Sequence, residues 1–210
     1  MKIQVALNKK SIQDAIKKVN AVKKMMPKIQ QDFLQEVAIW IINRANEYID
    51  RADLGSNVKA ELQNHWSYAT TASGIKIVNI TNVTRKVRSK EETVPLAVLI
   101  EFGVGVVGEG KPHPLADEEG YEYNVDSPSK ASDGEWHFYA NQSDLDLPKS
   151  AVNYGLYGHG SRKRMSIYTY GAKGVWYAYN AIVDVKTELA KSNGGEIGEL
   201  WETVLKRYIK

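Results

Sequence analysis

Residues 95–114 read PLAVLIEFGVGVVGEGKPHP, and the chain is organised around this stretch. Five apolar residues at 96–100 follow a proline and are too few for a helix, so they predict a buried strand. Glu101 and Phe102 come next, and glycines then recur up to two closing prolines. The pattern predicts a strand that ends in a turn, in which Gly103 and Gly105 hold conformations closed to other residues.

The same glycines match two phosphate-binding motifs, but the structural context of those motifs is missing. A GxGxxG run begins at Gly103, and the run from Gly105 to Lys111 comes within one residue of a phosphate loop. Both motifs present phosphates to the amide groups of a helix N-terminus. Pro112 stands where a phosphate loop needs Ser or Thr, and residues 115–120 have room for barely one helical turn. The sequence therefore disfavours nucleotide binding.

Composition limits the classes of protein to consider. The chain has 210 residues, of which 43% are hydrophobic, so a globular fold is expected. The absence of cysteine excludes a disulfide framework, thiol catalysis and cysteine-ligated zinc. The first residues do not resemble a signal peptide, and the longest apolar run is far too short to span a membrane. We expect a protein that is made in the cytoplasm and has no membrane partner.

Helical periodicity marks both ends of the chain. An amphipathic pattern begins near Ser11, Pro27 is expected to break or kink it, and a longer helix is predicted over 28–50. A short helix follows over 58–66. The residues predicted to face the core in the first pattern are Ile12, Ala15, Ile16, Val19, Val22 and Met26. Near the C-terminus they are Val175, Ala178, Tyr179, Ile182, Val185 and Leu189, followed by Ile197, Leu200, Trp201, Val204, Leu205 and Tyr208.

The middle of the chain has the alternation and turn residues of short strands. A hairpin is predicted from 67–72 and 75–83, followed by a charged connection over 84–93. Further short strands are predicted at 121–126, 136–140 and 166–170, with mobile arms at 127–135 and 141–163.

This order of elements predicts an α+β fold. Long N-terminal and C-terminal helices are expected to pack on a small antiparallel β-sheet, with an extended hairpin or loop arm. We predict a single domain over 1–210. Its parts are a helical part at 1–66, the sheet and glycine turn at 67–119, an aromatic and acidic arm at 120–171, and C-terminal helices at 172–210.

Charge is segregated along the chain although the net charge is only +3. Lysines dominate the first 28 residues, acids dominate 117–146, and a basic cluster returns at 162–164. Such a distribution suits contact with a polyanion or with an oppositely charged neighbour, and equally suits plain solvated faces. The residues predicted to face DNA or an acidic partner are Lys17, Lys18, Lys23, Lys24, Arg162, Lys163 and Arg164.

Candidate catalytic groups are few. The four histidines include no HExxH pair, and no cofactor or metal site is predicted. His113 lies between two prolines near Asp117, and His159 lies between two glycines, so either could bind a metal, although loop histidines are mostly structural or solvent-exposed. A nucleotide- or metal-dependent hydrolase remains an alternative, as does a DNA-binding module that uses the lysine-rich first helix.

A series of short motifs follows one order along the chain. They are VLIEFGVG at 98–105, VVGE at 106–109, PHP at 112–114, GYEYNV at 120–125, GEWHF at 134–138, TYGA at 169–172 and YAYN at 177–180. In this order they resemble the tail-completion, or head–tail joining, family of tailed bacteriophages of Gram-positive hosts, and the resemblance covers roughly residues 30–190. The proline expected in the last motif is missing, and Trp176 stands near its place. The threonine-glycine-leucine element after the first long helix is also reduced, to LGS at 54–56 with Leu62.

The resemblance implies a non-enzymatic structural protein of the virion. Such a protein would assemble as a homo-oligomeric ring at the neck or tail end, with other neck and tail proteins as partners. Genome DNA would pass through the ring without base readout. Dense aromatics among glycine, serine and acids in 120–171 also resemble interface anchors, and a hairpin that packs on its own sheet is the alternative. The predicted assembly interface consists of Glu101, Phe102, Gly103, Gly105, Tyr121, Tyr123, Trp136, Phe138, Tyr168 and Tyr170.

Overall fold

The computed structural model describes residues 9–71, 74–87, 90–123, 136–140, 153–157, 164–169 and 172–208. Its helices are α1 (Lys9–Arg51), α2 (Ser56–Asn64), α3 (Leu96–Phe102), α4 (Gly105–Glu109), α5 (Ala116–Glu119), α6 (Tyr177–Leu189) and α7 (Gly195–Tyr208). Its strands are β1 (Trp66–Thr71), β2 (Gly74–Asn79), β3 (Val83–Val87), β4 (Lys90–Val94), β5 (Gly103–Val104), β6 (Trp136–Ala140), β7 (Asn153–Tyr157), β8 (Arg164–Thr169) and β9 (Ala172–Lys173). The predicted α+β class, with long helices at both ends and antiparallel strands between them, is confirmed.

The described strands divide among four small sheets. β1 pairs with β2, as the predicted hairpin requires, and β5 pairs antiparallel with β9. β6, β8 and β7 form a three-stranded antiparallel sheet in that order, so the segment predicted to be a loop at 141–163 contains a strand. Residues 121–123, by contrast, do not form the strand predicted at 121–126. The remaining residues of that predicted strand lie outside the described part of the chain.

The charged connection predicted at 84–93 is a hairpin of β3 and β4. Its register sets Arg85 opposite Glu92 and Lys86 opposite Glu91. The segment predicted to be a connection is therefore a pair of antiparallel strands.

Helix α1 runs unbroken through Pro27, which corrects the predicted break. Proline inside a helix lacks an N–H donor and costs roughly 3 kcal/mol. Pro27 is exposed, however, and Ile29, two residues further on, is fully buried. Packing of the turns that follow Pro27 therefore keeps the chain helical beyond the proline. The first half of α1 departs from the prediction in a second way, since Ile12, Ile16 and Val19 are exposed rather than packed in a core.

Residues 96–100 form helix α3 rather than the predicted strand. Ala97 and Glu101 are the buried residues of this segment, and Val98 is exposed. A spacing of four buries one face of a helix, whereas a strand would bury alternate residues. The backbone N–H groups of Val98 and Leu99 bond to the carbonyl of Pro95, which begins the helix.

Two glycines of the organising stretch have different backbones. Gly103 ends α3 with φ 89°, in the region that favours glycine, as predicted. Gly105 opens the short helix α4, so its predicted unusual conformation is wrong. Helix α5 has four residues, and Gly120 caps its end with a left-handed backbone. This segment therefore holds a single helical turn, as predicted.

The chain divides into two compact units. One consists of Met1–Ile41, Tyr68–Lys76 and Asp184–Lys210, and the other of Ile42–Ser67 and Ile77–Val183. In the first unit, α7 packs on α1 with the face predicted for it, since the Phe33 and Trp201 rings meet edge-on at 5.0 Å. Arg207 pairs with Glu36 at 2.7 Å beside this contact. The second unit contains the residues of the organising stretch.

The apolar face predicted for α6 is rotated from the observed one. Tyr177 and Ala181 are buried, whereas Ile182 and Leu189 are exposed. The start of the helix sets this rotation, because the Tyr177 hydroxyl donates to the carbonyl of Ala97 at 3.0 Å. Hydrogen bonding at one residue thus overrides the average hydrophobic pattern of the helix.

A buried glutamate connects α6 to α7. Glu188 is buried, and its carboxylate accepts the backbone N–H of Glu196, in the first turn of α7, at 2.9 Å. The connecting turn uses Gly194 and Gly195 at φ 77° and 54°. A side chain at Gly195 would be strained by the positive φ and would also collide with that carboxylate, so the turn favours glycine there. Among the described helices, none is both long and apolar enough to cross a membrane.

Gly103→Val is the change that tests the turn. We expect it to lower the free energy of unfolding by about 1–3 kcal/mol, because a β-branched side chain is strained at positive φ and Gly103 is buried. Chemical denaturation measures the change, and Gly110→Ala at an exposed glycine is the control. Equal stability of the Gly103→Val variant and the parent would mean that the turn tolerates any residue.

Candidate functional site

The carboxylate of Glu101 lies at the N-terminus of α6. Its Oε2 accepts the backbone N–H of Ala178 at 2.9 Å, and its Oε1 accepts that of Tyr179 at 2.9 Å. These N–H groups belong to the first turn of a helix, where no carbonyl of the same helix can accept them. A negative charge there also interacts favourably with the positive end of the helix dipole. Glu101, which is 7% exposed, therefore caps a helix that begins 76 residues later.

His113 is the third donor to the same carboxylate. Its Nε2 donates to Oε1 of Glu101 at 3.1 Å, and its Nδ1 accepts the backbone N–H of Leu115 at 3.1 Å. Because Nδ1 is an acceptor, the proton of the neutral ring is on Nε2. The prolines at 112 and 114 restrict the backbone on both sides of this buried ring.

Backbone bonds join the same two segments of chain. The N–H of Val175 donates to the carbonyl of Ile100 at 2.8 Å, and that of Trp176 donates to the carbonyl of Glu101 at 3.2 Å. Gly174 makes this approach possible, since a side chain there would lie 2.4 Å from the Glu101 carbonyl oxygen. The end of α3 is therefore fixed to the start of α6 by backbone as well as side chain.

Aromatic rings surround the carboxylate and the imidazole. The Phe102 ring contacts His113 at 4.2 Å and stacks on Tyr121 at 4.5 Å. Tyr179 and Trp176 present their rings edge-on to the imidazole at 5.3 and 5.9 Å. These contacts exclude water from the hydrogen bonds of Glu101, and a drier environment strengthens such bonds.

Two tyrosine hydroxyls complete the arrangement. Tyr121 donates to the carbonyl of Gly103 at 2.6 Å, and the hydroxyl of Tyr123 accepts the N–H of His113 at 2.7 Å. We call the whole set the Glu101 clasp. It consists of Glu101, Phe102, Gly103, His113, Tyr121, Tyr123, Gly174, Trp176, Tyr177 and Tyr179.

Trp176 is the strained member of the clasp. Its φ of 57° is positive, which is uncommon for a residue other than glycine and typically costs about 1–3 kcal/mol. Its indole N–H is also buried, with no acceptor among the described residues. The backbone N–H of Trp176 donates to the carbonyl of Glu101, and the indole ring packs on His113. These contacts hold Trp176 in this conformation.

The carboxylate and the imidazole of the clasp bond to one another and to the backbone. Both carboxylate oxygens of Glu101 and both ring nitrogens of His113 have partners within the chain. No group of three or more His, Cys, Asp or Glu side chains suited to a metal ion occurs within the described ranges. Glu101 and His113 thus resemble a base and its orienting partner in composition, while the hydrogen bonds described here are all made to groups of their own chain.

Several predicted site residues meet in the clasp and others do not. The clasp brings together Glu101, Phe102, Gly103, Tyr121 and Tyr123. The buried members of this set, Glu101 and Gly103, make hydrogen bonds within their own chain. Their place in an assembly interface stays a prediction.

The other predicted residues lie elsewhere in the chain or outside the description. Trp136 and Phe138 are in β6, and Tyr168 and Arg164 are in β8. Lys17, Lys18, Lys23 and Lys24 are all exposed on α1. Arg162, Lys163 and Tyr170 lie outside the described residues, as does His159.

The sequence prediction missed the structural use of His113 and Tyr177. The sequence suggests His113 only as a metal ligand, although its two flanking prolines restrict the backbone around it. Tyr177 was not placed on the inward face of its helix. The resemblance is the signal that points to Tyr177, since 177–180 is one of its motifs.

Comparison of the chain with protein-family models, with curated protein sequences and with solved structures finds no match in any of the three.

Glu101→Gln tests the clasp directly. An amide presents one N–H₂ group where the carboxylate accepts bonds, so one donor loses its partner inside the protein. We expect the free energy of unfolding to fall by about 2–4 kcal/mol, the range for a buried, charge-assisted bond that is broken on one side. Denaturant titration measures this, with Glu109→Gln at an exposed glutamate as the matched control. A loss no larger than that of the control would contradict the capping role.

Alkaline pH tests the tyrosines of the clasp. Burial, with a smaller effect of Tyr123, raises the pKa of Tyr121 from 10.0 to about 12. Burial and then Glu101 raise the pKa of Tyr177 further. Because the folded pKa values lie above the unfolded one, the stability from these phenols is complete below pH 10.0 and is lost as the pH rises towards 12.

Tyr121→Phe should therefore flatten the decline of stability above pH 10.0, while costing about 1 kcal/mol at neutral pH through the lost bond to Gly103. Urea midpoints measured over this range give the slope. Tyr68→Phe, at an exposed tyrosine, should keep the slope of the parent. Identical slopes for Tyr121→Phe and the parent would show that this phenol is not responsible.

Proposed function

We propose that this chain is a non-enzymatic structural subunit of a tailed-bacteriophage particle, which acts in tail completion or head–tail joining as part of an oligomeric ring. The observation that carries the proposal is the composition of the Glu101 clasp. Four of the sequence pieces that resemble the family, at 98–105, 112–114, 120–125 and 177–180, contribute residues to this one cluster. Three of these pieces are neighbours in the sequence, and the fold brings the fourth, at 177–180, to them from more than 50 residues away, which supports the resemblance.

The bonding of the clasp favours a structural role over a catalytic one. A general base needs a free lone pair within reach of substrate. Here the carboxylate oxygens accept three N–H donors, and the imidazole is fixed in one tautomer by Leu115. These bonds hold the end of α3 against the first turn of α6, so the unusual residues of the motif stabilise the folded chain. That is the requirement for a protein whose role is assembly.

The exposed residues of α1 favour a protein partner over DNA alone. Binding to DNA by the phosphate backbone needs cations, which Lys17, Lys18, Lys23 and Lys24 supply from exposed positions. The same helix exposes Ile12, Ile16 and Val19, and phosphates offer nothing to these side chains. Exposed apolar side chains rimmed by charge are typical of a protein–protein contact. Non-specific contact with DNA in the channel of a ring stays a secondary part of the proposal.

The proposed partners are further copies of this chain and the other neck or tail proteins, and the proposed location is the neck or tail end of the virion. A ring requires that one surface of a subunit meets a different surface of the next. Charge of opposite sign on separate segments of one chain, as in residues 1–28 and 117–146, suits such a contact.

Particles assembled without this protein test the proposal. We expect electron microscopy to show DNA-filled heads beside free tails, and complementation with the unaltered chain to restore complete particles. Complementation with the Glu109→Gln variant, changed at an exposed residue, is the matched control and should restore them equally. Complete particles in the absence of the protein, or its absence from purified virions by mass spectrometry, would overturn the proposal.

A further inference from the structure

The N-terminal half of α1 carries an apolar stripe that the described part of the chain leaves uncovered. Ile12, Ile16 and Val19 are 42%, 54% and 50% exposed. Their spacing of four and three residues places them on one face of the helix. Single exposed apolar side chains are ordinary on a protein surface, but three in a row on one helix face form a patch. We refer to these three residues as the α1 stripe.

An open apolar groove lies further along the same helix. It has a volume of about 590 Å³ and is lined by Phe33 and Leu34 of α1, by Leu189 at the end of α6, and by Ile197 and Trp201 of α7. Leu189 is 58% exposed at its edge, and the Phe33 and Trp201 rings meet at 5.0 Å. Gly198, which also lines it, carries no side chain to fill the space. We refer to this surface as the α7 groove.

The stripe cannot fill the groove of its own chain. Ile16 and Phe33 lie on one continuous helix, 17 residues apart in the sequence. A rise of 1.5 Å per residue separates them by about 25 Å along the helix axis. A helix does not fold back on itself, so these two surfaces can meet only between different copies of the chain.

The charges that border the two surfaces are opposite. Lysines at 10, 17, 18, 23 and 24 are exposed around the stripe, where Asp14 is the one exposed acid between residues 10 and 26. Glu196, Glu199 and Glu202 are exposed on α7, each next to a residue that lines the groove. Such complementarity steers the stripe of one copy towards the groove of another, and it opposes pairing of two stripes.

We propose that the α1 stripe of one copy packs in the α7 groove of the next. The contact is inferred from these two surfaces, and only its place in a ring rests on the proposed function. Because the two surfaces differ, each copy offers one of each, and the contact can repeat from copy to copy. Repetition that closes gives a ring, which is the assembly that the proposed function requires.

Cross-linking between engineered cysteines tests the contact, since the natural chain contains none. We would mix a chain carrying Ile16→Cys with a chain carrying Leu189→Cys and add a short bis-maleimide. The matched control replaces the first chain by one carrying Ile39→Cys, which is on the same helix at a similar exposure of 44% but outside the groove lining. We expect the first pair to cross-link at least about tenfold faster than the control pair, as a contact of modest affinity requires. Equal rates would overturn the inference.

A complementation experiment tests whether the two surfaces are different. Ile16→Asp should disable the stripe and Leu189→Asp the groove, and both positions are exposed enough for the subunit to fold. Each variant alone should self-associate about 30-fold more weakly than the parent, the loss typical of a central interface side chain. A mixture of the two should form heterodimers that grow no further, because one intact stripe and one intact groove remain. Mass photometry showing no heterodimer, or dimers of either variant alone, would overturn the inference.

These outcomes separate this contact from the proposed function. Cross-linking of the first pair together with complete particles formed without the protein would leave the contact standing and remove the phage role. Free tails in the absence of the protein, together with equal cross-linking rates, would leave the role standing and remove the contact.

Discussion

The helix α6 begins where a buried carboxylate accepts its first N–H groups. Glu101 supplies that charge from α3, and His113 donates a third bond that holds the carboxylate in place. Removal of these bonds would leave polar groups unpaired inside the protein, which costs more than the bonds themselves contribute. The pairing of β5 with β9 and the contacts of Trp176 depend on the same meeting of segments. One charged side chain thus fixes the relation of two segments far apart in the sequence.

The fold uses this device twice. Glu188, near the end of α6, accepts the N–H of Glu196 in the first turn of α7, just as Glu101 accepts those of α6. A glycine permits a close approach in each case, since a side chain at Gly174 would collide with the backbone carbonyl of Glu101 and one at Gly195 with the carboxylate of Glu188. Each helix of the C-terminal region therefore begins at a glutamate from the preceding helix in space, with a glycine that permits the approach. A glutamate of α3 thus caps α6, and a glutamate of α6 caps α7.

The sequence predicted the helices at the two ends, the first hairpin and strand β6, because each has a regular pattern of its own. It did not predict α3, since the length of the five-residue apolar run favours a strand, whereas the burial of Ala97 and Glu101, four residues apart, is that of a short helix. It placed α6 in the wrong rotation because a hydrogen bond of Tyr177 to Ala97, 80 residues away, outweighs the average pattern. The clasp depends on such distant pairs. A single sequence does not contain the geometry that would reveal them.

The clasp also explains where a contact with a neighbour has to be sought. Residues that look most unusual in the sequence, such as Glu101 and His113, are buried and bonded within the chain, so they are used up in forming the subunit. The exposed residues available to a partner are of ordinary type, among them Ile16 and Leu189. We therefore propose that the residues that face a partner are a different set from these buried motif residues. The motif describes how α3 and α6 are held together, and the proposed contact depends on the surface chemistry of α1 and α7.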